Sequence, residues 1–291
     1  MTGDQVEKLQ WYPGHMTKAF RQMKEDLKLI DLIIEICDAR IPYSSRNPEI
    51  EKLANGRSRI VLLNKSDLAD HDVTKEWQAY FRENGIYAAA MDGRDKSQAR
   101  AVRSVIDAAS EAKRERDRRR GIQNRPIRAM VVGIPNSGKS TFINSYAGRA
   151  AAKTGNKPGV TKGKQWIRLN KQVELLDTPG VLWPKFEDET VGLHLACVGA
   201  IKDDIFEVTD LVTELAVILN RLYPSAIPSA YGIGECEGEP MLAAVAEKRG
   251  CIKAGGIADY DKAAGVILDD FRHGKLGRIS LEPCTVRESE V

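Results

Sequence analysis

Ala129-Met130-Val131-Val132-Gly133-Ile134-Pro135-Asn136-Ser137-Gly138-Lys139-Ser140 decides the fold of this chain. The four apolar residues read as a buried strand, and residues 139–147, with apolar positions recurring at three and four, read as a helix. Between them lies the pattern G-x-x-x-x-G-K-S, whose chemistry is specific. Gly133 and Gly138 let backbone N–H groups close around phosphate oxygens, Lys139 meets the charge of the outer phosphates, and the Ser140 hydroxyl offers a ligand to Mg²⁺. Ser137 and Thr141, on either side, belong to the same phosphate cradle.

Outward from this loop, short apolar runs alternate with helical patterns. Strands are predicted near residues 32–37, 59–63, 86–90, 128–132, 165–169 and 173–176, and helices near 47–54, 73–84, 97–118 and 139–147. This alternation predicts an α/β domain with a mainly parallel six-stranded sheet covered by helices. After Gly180 the strand pattern stops. Residues 191–200, 210–222, 241–249 and 259–274 read as helices, separated by Pro224, Pro228, Pro240 and the Gly255-Gly256 pair. The expected division is a nucleotide domain over residues 1–185, including an N-terminal extension, and a small α-helical domain over 186–291.

Two further motifs say which nucleotide. Asn64-Lys65-Ser66-Asp67 follows the apolar run 60–63. A carboxylate at Asp67 accepts from the N1–H and the exocyclic amino group of guanine, where adenine offers neither, and leaving it unpaired makes the wrong base costly. Lys65 would lie along the base, and Asn64 would tie this loop to the phosphate loop. Asp177-Thr178-Pro179-Gly180 follows the run 173–176, placing Asp177 to hold Mg²⁺ through water and the Gly180 N–H to meet the γ-phosphate. Thr161, in the loop between helix 139–147 and strand 165–169, is the expected second hydroxyl ligand of Mg²⁺. Asp92 and Gly93, after strand 86–90, are assigned to the base by position, because the Ser-Ala pair often found there is absent. The order is the unusual part. The guanine reader precedes the phosphate loop, whereas ordinary small GTPases have the reverse, so the domain is circularly permuted and the nucleotide is GTP or GDP.

At 291 residues the chain is long enough for a core in each of two domains, and a net charge of +3 decides nothing about a polyanionic partner. Five cysteines, none at C-x-x-C spacing, suggest neither a disulfide framework nor a zinc site and fit a reducing cytoplasm. No signal pattern or long apolar segment is found, so a soluble protein with no membrane role is expected. Basic residues cluster in two places. Residues 113–128 hold eight basic and two acidic side chains, a candidate phosphate-binding patch or a solvated helix face. The C-terminal helices carry Lys248, Arg249, Lys253, Lys262, Arg272, His273, Lys275 and Arg278 with few aromatics, which favours backbone contacts with structured RNA over base stacking. No DNA partner is expected.

The motif order, together with Trp11-Tyr12-Pro13-Gly14-His15-Met16, Asp38-Ala39-Arg40 and the run from Asp177 through Val181-Leu182-Trp183-Pro184-Lys185, resembles the YlqF/RbgA family of ribosome-assembly GTPases. The likeness extends to Glu247-Lys248-Arg249-Gly250-Cys251 and covers almost the whole chain. It implies a GTPase that acts late in maturation of the large ribosomal subunit and contacts ribosomal RNA through its helical domain. Small GTPases commonly place a glutamine just after D-x-x-G to orient the attacking water, but Val181 stands here. Among His15, His71, His194 and His273, the resemblance points to His15 as the catalytic residue; the alternative is that His15 only begins a helix or touches RNA. In related GTPases an asparagine placed like Asn136 helps hold a potassium ion, and the alternative is an asparagine bonded to its own backbone. Two other readings stay open at this stage: a nucleotide-gated RNA-binding scaffold whose hydrolysis is incidental, and a signalling GTPase with protein partners only.

Overall fold

The computed structural model describes residues 14–54, 56–147, 165–183, 186 and 188–284. Thr161 and the rest of the 157–161 segment, Trp11 to Pro13, Pro184 and Lys185 lie outside the described residues, as does the side chain of His15. The chain divides into two compact units. One comprises Tyr12–Lys185 together with Glu282–Val291, and the other holds Phe186–Leu281.

The first unit is built on a six-stranded sheet of β1 (Leu32–Asp38), β2 (Ser58–Asn64), β3 (Tyr87–Ala90), β4 (Ile127–Val132), β5 (Gln165–Arg168) and β6 (Val173–Asp177), in the order β3-β2-β1-β4-β6-β5. All neighbours are parallel except β5 and β6, which form an antiparallel pair with Ile167 opposite Leu175. β1 lies at the centre, where Ile34 faces Ile60 on one side and Val131 on the other. All seven of its residues are buried, as expected for a strand covered on both faces.

The two-residue period of the strands sorts the core into two layers. Leu32, Ile34 and Ile36 pack with Ile60, Leu62, Ala129 and Val131 against Val102 and Ile106 of one helix and Phe142 and Ile143 of another. Cys37, Val61 and Leu63 join the opposite layer with Trp77 and Phe81. The helices responsible are α3 (His71–Glu83), α4 (Ala99–Arg119) and α5 (Lys139–Ala147), and the unit also holds α1 (Gly14–Asp26) and α2 (Pro48–Ala54). Trp77 and Phe81 stand four apart on α3, one turn of the same face, and Asp70 caps that helix by accepting from the N–H groups of Asp72 and Val73. Glu35 is the charged residue in the middle of β1. It is 1 % exposed and is satisfied by the Asn47 N–H at 3.0 Å and by Arg59 at 3.4 Å.

α4 is the connector that a permuted order requires, since it carries the chain from β3 at one edge to β4 in the middle of the sheet. Its basic run is partly neutralised from within. Arg114 pairs with Asp107, Arg118 with Glu111, Arg119 with Glu115, and Lys113 with Asp117 and Asp31.

The second unit contains α6 (Glu189–Cys197), α7 (Val208–Leu222), α8 (Ala226–Tyr231), α9 (Gly238–Arg249) and α10 (Tyr260–Arg272). Leu211, Leu215 and Leu219 recur along α7, and Ala263, Ala264, Ile267 and Phe271 along α10, giving each helix a buried stripe. Arg272 closes the C-terminal end of α6, donating to the carbonyls of Ala196 at 2.8 Å and Cys197 at 3.0 Å while pairing with Asp203. Helix α8 was not expected from the sequence because Pro228 reads as a breaker. Pro228 sits in the first turn, where its missing N–H has no intrahelical partner to lose.

Candidate nucleotide-binding site

The carboxyl ends of β1, β2, β3, β4 and β6 deliver the polar residues that the sequence singles out. Asp38, Asn64 and Asp177 end their strands, while Gly133 directly follows β4 and Asp92 follows β3 by two residues. Strand numbering reverses direction between β1 and β4, and open α/β sheets bind ligands beyond the strand ends at such a reversal.

The phosphate loop leads straight into α5, so the N-terminal N–H groups of that helix, with Ser140 and Thr141 in its first turn, face the place where phosphate would lie. Gly138 holds a left-handed backbone (φ 92°), and a Cβ there would fall 2.1 Å from the Asn64 amide nitrogen. Asn136 is exposed and also left-handed (φ 57°), a conformation asparagine tolerates. Lys139 is buried, and its ammonium donates to the carbonyls of Ile134 at 2.6 Å and Gly133 at 3.0 Å. Burial brings its pKa down to about 8, although the nearby charge of Asp177 acts in the opposite direction.

Asp177 is 2 % exposed, and both of its carboxylate oxygens are buried without a hydrogen-bond partner. Burial pushes its pKa up to about 6 against the pull of Lys139. Two orphaned oxygens beside a phosphate loop fit a divalent cation, which would restore the charged form. Among the described residues no group of three or more His, Cys, Asp or Glu side chains could hold a metal, so a cation here would draw on hydroxyls and phosphate oxygens besides Asp177. The segment after Asp177 runs along the phosphate loop. Thr178 donates its hydroxyl to the Val131 carbonyl at 2.6 Å, and the Val181 N–H donates to Gly133 at 3.4 Å. Gly180 passes so close that a Cβ would meet the Lys139 ammonium and the Pro135 backbone at 2.9 Å.

Asn64 joins the two halves of the site. Its amide nitrogen donates to the Ser137 carbonyl at 2.7 Å and its oxygen accepts from the Gly93 N–H at 2.7 Å, with the side chain buried. The sequence predicted the first of these ties. Gly93 is held from the other side as well, because its carbonyl accepts from the Ser145 hydroxyl of α5 at 2.5 Å. The Ser66 N–H donates to the Met91 carbonyl at 3.1 Å, so the loops after β2 and β3 are stitched together.

Three side chains around the loop after β2 carry more than the sequence suggested. Lys65, left-handed at φ 59°, pairs with Asp38 at 2.9 Å. Asp38 also takes a fork from Arg40, at 2.9 Å from Nε and 2.8 Å from the terminal nitrogen, and both residues are buried. Burial alone would raise the Asp38 carboxyl, but the charges of Arg40 and Lys65 outweigh it and hold the group well below the usual carboxylate range. Arg94, which sequence reasoning passed over, forks onto Asp92 at 3.0 Å and reaches Asp67 at 2.5 Å. The signal available for both Asp38 and Arg94 was their place at or just after a strand's carboxyl end.

Of the other expected residues, His15 is the second residue of α1, and His71, His194 and His273 lie at the start of α3, in α6 and just after α10. In the helical unit Arg249, Lys253, Arg272, His273 and Lys275 have carboxylate partners, whereas Lys248, Lys262 and Arg278 are exposed and make no ion pair among the described residues. Among the described residues no helix is long and apolar enough to cross a membrane.

Comparison with known proteins agrees with this geometry. Residues 128–227 match the family described as 50S ribosome-binding GTPase. The chain is 47 % identical to Ribosome biogenesis GTPase A of Priestia megaterium over 277 residues, 94 % of this chain and 96 % of that one. It is 45 % identical to Ribosome biogenesis GTPase A of Bacillus cereus over 276 residues, 94 % and 93 % of the two chains. The crystal structure of GNP-bound YlqF from T. maritima superposes with a TM-score of 0.67 at 29 % identity, covering 91 % of this chain and 97 % of that one. With the permuted order of its motifs, the shared sheet and identity along nearly its whole length, this chain belongs to the ribosome biogenesis GTPase A (YlqF/RbgA) family of GTPases.

Proposed function

We propose that this cytoplasmic GTPase acts in late maturation of the large ribosomal subunit and binds ribosomal RNA in a nucleotide-dependent manner. The observation that carries the chemistry is Asn64, whose two hydrogen bonds join the guanine-reading loop, the phosphate loop and the Gly93 loop into one site. The ribosomal assignment rests on the relatives, which bear the name Ribosome biogenesis GTPase A over more than nine-tenths of their length.

Hydrolysis adds water at the γ-phosphorus and breaks its bond to the bridging oxygen, giving GDP and phosphate. Gly133, Asn136, Ser137, Gly138 and Thr141 line the phosphates, and the Lys139 ammonium turns from the Gly133 and Ile134 carbonyls to the β and γ oxygens. Ser140, Thr161 and Asp177 are the residues that would hold Mg²⁺, which supplies charge neutralisation on the transferring phosphoryl group. Gly180 offers its N–H to the γ-phosphate. Asn64, Lys65, Ser66 and Asp67 read guanine, with Asp92 and Gly93 closing the base side. Val181 is buried and has no group that orients water, and the family resemblance assigns that role to His15, with Asn136 as the candidate ligand of a potassium ion beside the phosphates.

Because Asp177 and Gly180 lie just before the chain leaves the nucleotide unit after residue 185, a segment ordered by γ-phosphate leads directly into the helical unit that begins at Phe186. GTP would thereby favour the RNA-binding arrangement and hydrolysis would release the protein. Sedimentation with purified large subunits tests this. Retention with a non-hydrolysable GTP analogue and loss with GDP is the expected result; equal retention removes the coupling, and no retention removes the ribosomal partner. Turnover unchanged by added subunits would favour a scaffold whose hydrolysis is incidental.

A further inference from the structure

The protein itself encloses both oxygens of Asp67. Its Oδ1 is buried with no hydrogen-bond partner, and its Oδ2 receives a terminal nitrogen of Arg94 at 2.5 Å. Guanine presents two donors side by side and needs both oxygens of a carboxylate. Something must move before the base can dock, and Arg94 is the group placed to do so. Its side chain is 68 % exposed, and its backbone N–H and Nε hold it to Asp92 at 2.9 and 3.0 Å, while one terminal nitrogen is shared between Asp92 at 3.0 Å and Asp67 at 2.5 Å. Asp92 is in turn fixed through its own N–H, which donates to Gln98 at 2.8 Å.

We propose that Arg94 is a specificity-determining gate of the guanine site, an internal cation that competes with the base for Asp67 and lets go of it, while keeping its hold on Asp92, when guanine enters. This rests on the reading of Asp67 as the guanine acceptor. Arg94 weakens the hydrogen bond that Oδ2 would accept from the base, in proportion to the time it stays on that oxygen. An exposed ion pair of this kind is worth up to about 1 kcal/mol, which corresponds to roughly a fivefold change in affinity. The cost falls on the second hydrogen bond. An inosine nucleotide, which lacks the exocyclic amino group, makes only one donor contact and has less to gain from the freed Oδ2.

The test uses the full chain with Mg²⁺, titrated with GDP and with IDP, for wild type, Arg94→Ala and Arg94→Lys, with association rates from stopped-flow fluorescence of a labelled GDP. Arg94→Ala is expected to bind GDP about twofold to fivefold more tightly, through faster association, and to widen the preference for GDP over IDP, with Arg94→Lys in between. Weaker GDP binding by Arg94→Ala would make Arg94 a support of Asp67 and overturn the gate, and so would unchanged affinity and association rate. Asp67→Ala separates the two levels. If it still binds GDP like wild type, the guanine-acceptor reading fails; if it loses GDP while Arg94→Ala shows no gain, only the gate fails.

Discussion

A buried carboxylate between two cations ties the loop after β2 to the core. Asp38 sits at the last position of β1 with Arg40 forked onto it and Lys65 beside it. Replacing it by asparagine would leave the Arg40 guanidinium buried without its counter-charge, a change that costs about 3–5 kcal/mol. Urea unfolding of Asp38→Asn should show that loss at neutral pH. The sign with pH follows from the depressed pKa of Asp38 in the fold. The stabilisation is fully present above the carboxylate's unfolded value of about 3.9 and is lost as pH falls below it. The difference between wild type and Asp38→Asn should therefore hold constant above about pH 5 and shrink in more acidic buffer. A constant difference down to pH 2 would contradict this. In the sequence, Asp38-Ala39-Arg40 was legible only as part of a family likeness, because nothing in its spacing says that Arg40 folds back two residues to its own Asp38.

At the scale of elements, the loops are joined more tightly than the strands that carry them require. Asn64 satisfies a carbonyl of the phosphate loop and an N–H of the loop after β3 at once. Asn64→Ala would strand both backbone groups, at about 1–3 kcal/mol each, so GDP affinity should fall by at least about tenfold, measured by calorimetry on the folded variant. Affinity within about twofold of wild type would show that the loops hold their places without it. All six strands were readable, because apolar runs of four to seven residues separated by helical periodicity leave few alternatives. The direction of β5 was less so. The short connection between β5 and β6 allows only an antiparallel pair, a geometric constraint that local propensity does not express. The pairing of the basic runs was not legible in the sequence. Composition counts charges along the chain, while Asp107, Glu111 and Asp270 reach their cations from one or more helical turns away or from another helix.

At the scale of the whole molecule, the chain leaves the nucleotide unit once and returns to it at Glu282. That residue caps a loop of the sheet: its carboxylate accepts from the Tyr43 N–H at 2.7 Å and the Ser44 N–H at 3.0 Å, and its carbonyl accepts from the Trp77 indole at 2.8 Å. A chain ending at residue 281 should thus lose several degrees of melting temperature in the nucleotide unit, read from the tryptophan fluorescence to which Trp77, Trp166 and Trp183 of that unit contribute, even though nothing of β1–β6 is removed. An unchanged transition would mean that the C-terminal stretch merely rests there. No sequence rule anticipates such a return, since it pairs residues more than 200 positions apart. Everything larger depends on the permuted segments enclosing one guanine nucleotide. The most direct measurement is calorimetric titration of Mg²⁺·GDP and Mg²⁺·ADP into the full chain and into Asp67→Ala. The account predicts binding of GDP, ADP weaker by on the order of a thousandfold or more, and loss of GDP binding in the variant. Equal affinity for the two nucleotides, or an Asp67→Ala protein that binds GDP like wild type, would contradict it.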